Sequence, residues 1–148
     1  MITACAIEID APAHVVWEVF SDVERWPEWT SSVARLTALD GPQLAVGRRY
    51  ELKQPRMPKL IWVVTELSPG SAWSWEQRSP GGLTVARHDV TPISDHRTRV
   101  RQQIDQRGPV GVAVGVLMRR MTKRYLDLEA MGLKTRSEQL YRLDGATS

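Results

Sequence analysis

The chain has 148 residues and a mass of 16.8 kDa, the size of one domain. Its composition, 42% hydrophobic and 25% charged, excludes disordered, collagen-like and low-complexity sequence, and a net charge of +3 permits only weak attraction to anionic surfaces. The longest apolar run, residues 110–118, is less than half the roughly 20 residues of a bilayer-spanning helix, and the lone Cys5 excludes an intrachain disulfide or a multi-cysteine metal site.

Glu8 and Asp10 interrupt the N-terminus early, so no secretory signal pattern is expected and a cytoplasmic protein is read. Six tryptophans stand against one phenylalanine. Such large flat side chains need housing, and aromatic residues carry much of the energy of any pocket they line.

Segment 3–10 ends in Ile7-Glu8-Ile9-Asp10, an alternation with the period of a half-buried strand. Asp10 stands where an N-cap is expected, Pro12 occupies an early helical position, and Val15, Val16, Val19 and Phe20 make an apolar helix face through to Ser21. A second short helix is expected after Ser21-Asp22, broken at Trp26 because the residue before Pro27 is pushed out of the helical region. From Ser32 onward, strands are separated by Asp40-Gly41-Pro42, Ser68-Pro69-Gly70, Ser79-Pro80-Gly81-Gly82 and Pro92-Ile93-Ser94-Asp95, which gives an antiparallel meander.

The clearest strand is 97–106, where Thr98, Val100, Gln102 and Ile104 alternate with Arg97, Arg99, Arg101, Gln103 and Asp105. Tyr50 and Leu52 alternate with Arg49, Glu51 and Lys53, and Trp73 and Trp75 with Ala72, Ser74 and Glu76. Placing Arg87 and Asp89 outside forces Ala86, His88 and Val90 inside. Both phases of 60–67 are apolar, so its register is not readable; Trp62 and Val64 are favoured inward.

After Gly108-Pro109, Val114, Met118, Met121, Tyr125 and Leu128 recur at spacings of four and three, the pattern of one amphipathic helix reaching about Gln139. Such a helix extends about 45 Å and must cross a domain whose radius of gyration is about 15 Å. Gly111 and Gly115 each weaken it by about 1 kcal/mol relative to Ala, so a bend is expected in its first turns. The small polar residues after Leu143 are expected to form a disordered tail, 144–148, leaving a single domain over 1–143.

These elements define an α+β architecture: a curved antiparallel sheet of about seven strands, two short helices between strands 1 and 2, and a long C-terminal helix covering the apolar face. With Ile7-Glu8-Ile9-Asp10-Ala11-Pro12, Trp17, Asp22-Val23-Glu24-Arg25-Trp26-Pro27-Glu28-Trp29 and the Thr98-Arg99-Val100 strand before Gly108-Pro109, the chain resembles the bacterial polyketide cyclase/dehydrase-like branch of the START-like, SRPBCC superfamily. The resemblance spans Ile7 to about Glu138. It implies a helix-grip fold, with an elongated apolar cavity between the sheet and the long helix.

The expected ligand-binding residues are Tyr50, Leu52, Trp62, Val64, Trp73, Trp75, His88, Val100 and Gln102 from the sheet, with Ala86 and Val90 beside them. The helix adds Val114, Leu117, Met118, Met121 and Tyr125. A surface so poor in charge suits a flat or greasy ligand, such as a lipid, isoprenoid or polyketide-like aromatic, held by burial with a few polar groups orienting it. The sheet tryptophans either line this cavity or fill it.

An inward His88 beside Gln102, aided by Gln102 or Tyr50, suits an alternative function as general acid/base of a cofactor-independent cyclase or dehydratase. Against that role stand the absence of an inward Asp or Glu to pair with it and the alternative of a histidine simply satisfied in the interior. No phosphate-binding loop, zinc-protease motif or GxSxG elbow is present, so neither a metal nor a cofactor is expected. The arginines of the outer sheet face are interspersed with Glu51, Glu76, Asp89 and Asp105, a solvated ion-paired surface rather than a nucleic-acid patch. The partner expected is a hydrophobic small molecule, without integral membrane association; a homodimer is open, since no element specifies one.

Overall fold

The alternation of inward apolar and outward charged residues produces seven strands: β1 (Ile2–Ile9), β2 (Arg35–Ala38), β3 (Arg49–Lys53), β4 (Leu60–Ser68), β5 (Ala72–Ser79), β6 (Gly82–Ser94) and β7 (Arg97–Arg107). In the computed structural model, which describes residues 1–147, they form one sheet in the order β1-β7-β6-β5-β4-β3-β2, with every neighbouring pair antiparallel. The register sets His88 opposite Gln102 and Trp73 opposite His88, so these side chains share the inner face. Trp62 and Val64 are buried, which settles the phase of β4.

Helix α1 (Ala13–Ser21) and a 3-10 helix (Val23–Glu28) connect β1 to β2. Pro12, rather than Asp10, occupies the N-cap position, and its carbonyl accepts from the amides of Val15 and Val16. The expected break at Trp26 is replaced by a continuous 3-10 helix through Pro27, because Trp26 is anchored by tertiary contacts. Its indole Nε1 donates to the Phe20 carbonyl at 2.9 Å, and its ring stacks on Phe20 at a centroid distance of 5.6 Å. Phe20, Trp26 and Trp73 are among the largest fully buried side chains, so the core sits where the short helices meet the sheet.

The single C-terminal helix expected from periodicity is two helices, α2 (Gly108–Leu117) and α3 (Arg119–Thr147), separated at Met118. Two close seats on different supports explain the break. A Cβ on Gly115 would lie 2.5 Å from Gln106 Oε1, and one on Gly82 3.1 Å from the Gly111 amide nitrogen, so α2 rests on the β6–β7 end of the sheet. A Cβ on Gly132 would lie 1.9 Å from the Trp29 carbonyl oxygen, so α3 is seated against the end of the 3-10 helix.

The break also resets the helical phase: α3 buries Leu126, Glu129, Ala130, Leu133 and Ser137, whereas Leu117 is 82% exposed and Val114 is also exposed. Contrary to the expected tail 144–148, the helix continues to Thr147; Ser148 lies outside the described residues. On the outer sheet face, Arg97 and Arg99 pair with Glu8, and Arg87 with Glu66 and Asp89. Exposed pairs of this kind contribute little individually. They do make the face a solvated, charge-balanced surface.

Candidate ligand cavity

Between the inner face of the sheet and the two C-terminal helices lies a cavity of about 460 Å³, within the range of small-molecule sites. Leu52, Trp62, Trp75, Ala86, His88 and Gln102 line it from the sheet, and Val114, Leu117, Met118, Met121 and Tyr125 from the helices. Four residues expected at the ligand are not in its wall: Tyr50, Val64, Trp73 and Val100 are buried in the core. Trp73 is covered because His88 stacks on it, with centroids 4.0 Å apart and planes 11° apart. Tyr50 turns away, its hydroxyl donating to the Gln43 carbonyl at 2.9 Å, so it does not assist His88.

Arg56 and Pro58 in the β3–β4 connection, with Val114 and Leu117 on α2, are exposed residues of the lining, which sets a mouth between that connection and α2. The Tyr125 hydroxyl donates to the Pro55 carbonyl, tying α3 to the same connection. The sheet tryptophans divide between lining and filling the space: Trp62 and Trp75 line the cavity, joined by Trp26 of the 3-10 helix, whereas Trp73 fills the core.

Two titratable groups are buried in this wall and their environments push them in opposite senses. His88 is ringed by the edges of Phe20, Trp26 and Trp75, with Nδ1 3.3 Å from the Trp73 carbonyl oxygen. Burial lowers its pKa to about 3, with the backbone hydrogen bond opposing, so the imidazole is neutral near pH 7.

Glu129 is the group sequence reasoning missed. Its carboxylate accepts from Gln102 Nε2 at 2.7 Å and from Ser32 Oγ at 3.2 Å, and Ser32 Oγ in turn lies 2.8 Å from Thr30 Oγ1. Among the described residues no cation pairs with it. Burial raises its pKa to about 7, and the hydrogen bonds from Gln102 and Ser32 moderate the rise. The inner wall thus holds one carboxyl poised between its two protonation states near neutrality. The signal was present in the sequence: Leu126, Ala130, Leu133 and Ser137 define a helical face that includes position 129, once the phase is taken from α3 alone.

Two further polar atoms of lining residues, Trp62 Nε1 and Gln106 Oε1, are buried without a hydrogen-bond partner. Among the described residues no group of three or more His, Cys, Asp or Glu is placed to hold a metal ion. No described helix is long and apolar enough to cross a membrane.

A sheet wrapped around a long helix with an internal cavity between them is the helix-grip architecture, a container for small molecules. Residues 4–138 match the family model described as polyketide cyclase / dehydrase and lipid transport, and the chain belongs to that family. No curated protein matches it by sequence.

Among solved structures it is similar to the Zhui aromatase/cyclase of a Streptomyces species, with TM-score 0.77, 14% identity, and 94% of each chain covered. It is also similar to a START superfamily protein from Mycobacterium smegmatis, with TM-score 0.73, 18% identity, 94% of this chain and 98% of that one covered. A third is norcoclaurine synthase from Thalictrum flavum in complex with dopamine and hydroxybenzaldehyde, with TM-score 0.70, 13% identity, 91% of this chain and 84% of that one covered. At these identities the likeness establishes the fold alone.

Proposed function

We propose that the protein binds and carries a hydrophobic small molecule, such as a lipid, isoprenoid or polyketide-like aromatic, in the cavity between the sheet and the C-terminal helices. The observation that carries this reading is the cavity of about 460 Å³ with Trp26, Trp62 and Trp75 in its wall and Glu129 as its one buried charged group. Burial of a flat apolar body contributes roughly 25 cal/mol per Å² removed from water. The Gln102–Glu129 pair and the unpartnered Trp62 Nε1 supply the few polar points that orient it. Titration with anilinonaphthalene sulfonate tests the reading: saturable quenching of tryptophan emission is expected, and emission unchanged at every probe concentration contradicts it.

A second reading, cyclisation chemistry, is favoured by Glu129 rather than by His88. A carboxyl with a pKa of about 7 accepts and returns a proton at neutral pH, whereas a histidine with a pKa of about 3 is a poor base there. In such a reaction the Glu129 carboxylate removes a proton from a carbon flanked by carbonyls, and the resulting enolate carbon bonds to a second carbonyl carbon. The new alkoxide then takes the proton back from Glu129. His88 and Gln102 would hold substrate oxygens. Glu129→Gln is expected to abolish turnover of a poly-β-carbonyl substrate while retaining its binding; undiminished turnover removes Glu129 from this mechanism.

A further inference from the structure

Helix α2 has its polarity reversed for a surface helix. Its buried positions are Gly111 and Gly115, while Pro109, Val112, Ala113, Val116 and Leu117 form an exposed stripe at helical spacing. Val116 is 64% exposed and Leu117 82%, and the helix carries no charged side chain. A contiguous exposed aliphatic face on an otherwise soluble domain marks an interaction site. It adjoins the cavity mouth, to which Val114 and Leu117 contribute.

Directly beyond the break, Arg119, Arg120, Lys123 and Arg124 are exposed and border a shallow groove with Leu128 and Met131. Lys123 is paired with Asp127. Among the described residues Arg119, Arg120 and Arg124 have no ion-pair partner, unlike the arginines Arg87, Arg97 and Arg99 of the outer sheet face. Arg56 adds an exposed cation on the opposite side of the mouth.

We propose that α2 and the first turns of α3 form a docking surface for an anionic lipid bilayer, on which the aliphatic stripe enters the interface while the neighbouring cations meet acidic headgroups. The inference rests on the carrier reading, since it gives a hydrophobic cargo an apolar route between membrane and cavity. The chemistry of the stripe selects this occupant. Its exposed side chains are aliphatic and offer no hydrogen-bonding anchor of the kind that specifies a protein interface; a bilayer requires none, and a basic flank beside an apolar face is the pattern of interfacial helices. A second copy of the chain docked here through a two-fold axis would set like-charged arginine clusters close together.

The test is flotation of the full chain with vesicles of phosphatidylcholine alone and of phosphatidylcholine with phosphatidylserine, at low and raised salt. Binding is expected only to the vesicles containing phosphatidylserine, weakening as salt rises. Arg119→Glu with Arg120→Glu is expected to weaken it about thirtyfold or more, taking each cation near such a surface at about 1 kcal/mol. Val116→Asp, at an exposed position outside the cavity wall, is expected to weaken it about tenfold.

Each variant is checked by far-UV circular dichroism and by its anilinonaphthalene sulfonate titration. Failure to float with that titration intact overturns the docking surface alone, and loss of the wild-type titration overturns the carrier reading. Equal binding to both vesicle types, binding unchanged in the variants, or a concentration-dependent dimer abolished by Val116→Asp each overturns the membrane assignment.

Discussion

The two walls of the cavity are built on opposite principles. On the sheet side, Trp75 and His88, with Trp26 of the 3-10 helix, line the cavity and are backed ring to ring by Trp73 and by Phe20 of α1. Aromatic packing fixes these rings, strand pairing fixes Trp73, Trp75 and His88 besides, and an imidazole is held neutral by its surroundings. On the α2 side the contact is made at glycines, Gly111 against the backbone of β6 and β7 and Gly115 against the Gln106 side chain, so the helix approaches closely but buries few side-chain atoms of its own, and its valines are all partly exposed. Stability therefore resides in the aromatic wall, whereas the α2 wall is the part of the container able to open at small cost.

The largest expected effect comes from the aromatic core behind the sheet-side wall. Trp73→Ala is expected to destabilise by about 3–5 kcal/mol in chemical denaturation, as for other buried aromatic truncations; a loss comparable with a surface substitution would move the core elsewhere. Next in size is Gly132→Ala, whose Cβ meets the Trp29 carbonyl oxygen and forces α3 to shift. A loss of about 3 kcal/mol is expected, at the upper end for overpacking.

The two buried titratable groups give a pH signature. The pKa of Glu129 is raised from 4.5 to about 7, so the unfolded chain releases this proton first and stability falls as pH rises from about 4.5 to about 7. The pKa of His88 is lowered from 6.5 to about 3, so the unfolded chain binds this proton first and stability falls as pH drops from about 6.5 to about 3. Between about 4.5 and 6.5 the two slopes oppose each other, each worth one proton, and these two groups together give a near-flat contribution. Glu129→Gln is expected to leave only the histidine slope, with stability rising towards pH 6.5, and His88→Gln only the glutamate slope, with stability falling towards pH 7. Equal pH dependence in wild type and both variants would show that neither group is buried as described. The smallest effect belongs to α2: Val112→Ser is expected to change stability by less than about 0.5 kcal/mol, and a larger loss would mean that this stripe is packed rather than exposed.

The difference between the walls also explains how far the sequence could be read. Period-two alternation with charges on one side specified β3, β5 and β7 and turned His88 and Gln102 inward, because a slip of one residue would bury arginines. The helix wall was less legible. A heptad-like run through Met118 conceals the break, which depends on close approaches at Gly115 and Gly132 that no local pattern reveals. Carrying one phase across that break placed Leu128 on the inner face and left Glu129 off it, and so hid the carboxyl that meets Gln102. The stacking of His88 on Trp73, which withdraws Trp73 from the cavity, is likewise a tertiary fact.

The central claim, that this cavity holds a hydrophobic small molecule, is most directly tested by native mass spectrometry of freshly purified protein followed by denaturing extraction, comparing wild type with Thr84→Trp, which places an indole among the lining residues. The expected result is a defined adduct on the wild type that is released on denaturation and missing from the folded variant. Wild-type protein with no adduct after incubation with lipid and aromatic amphiphiles, or an adduct retained in full by Thr84→Trp, would contradict it.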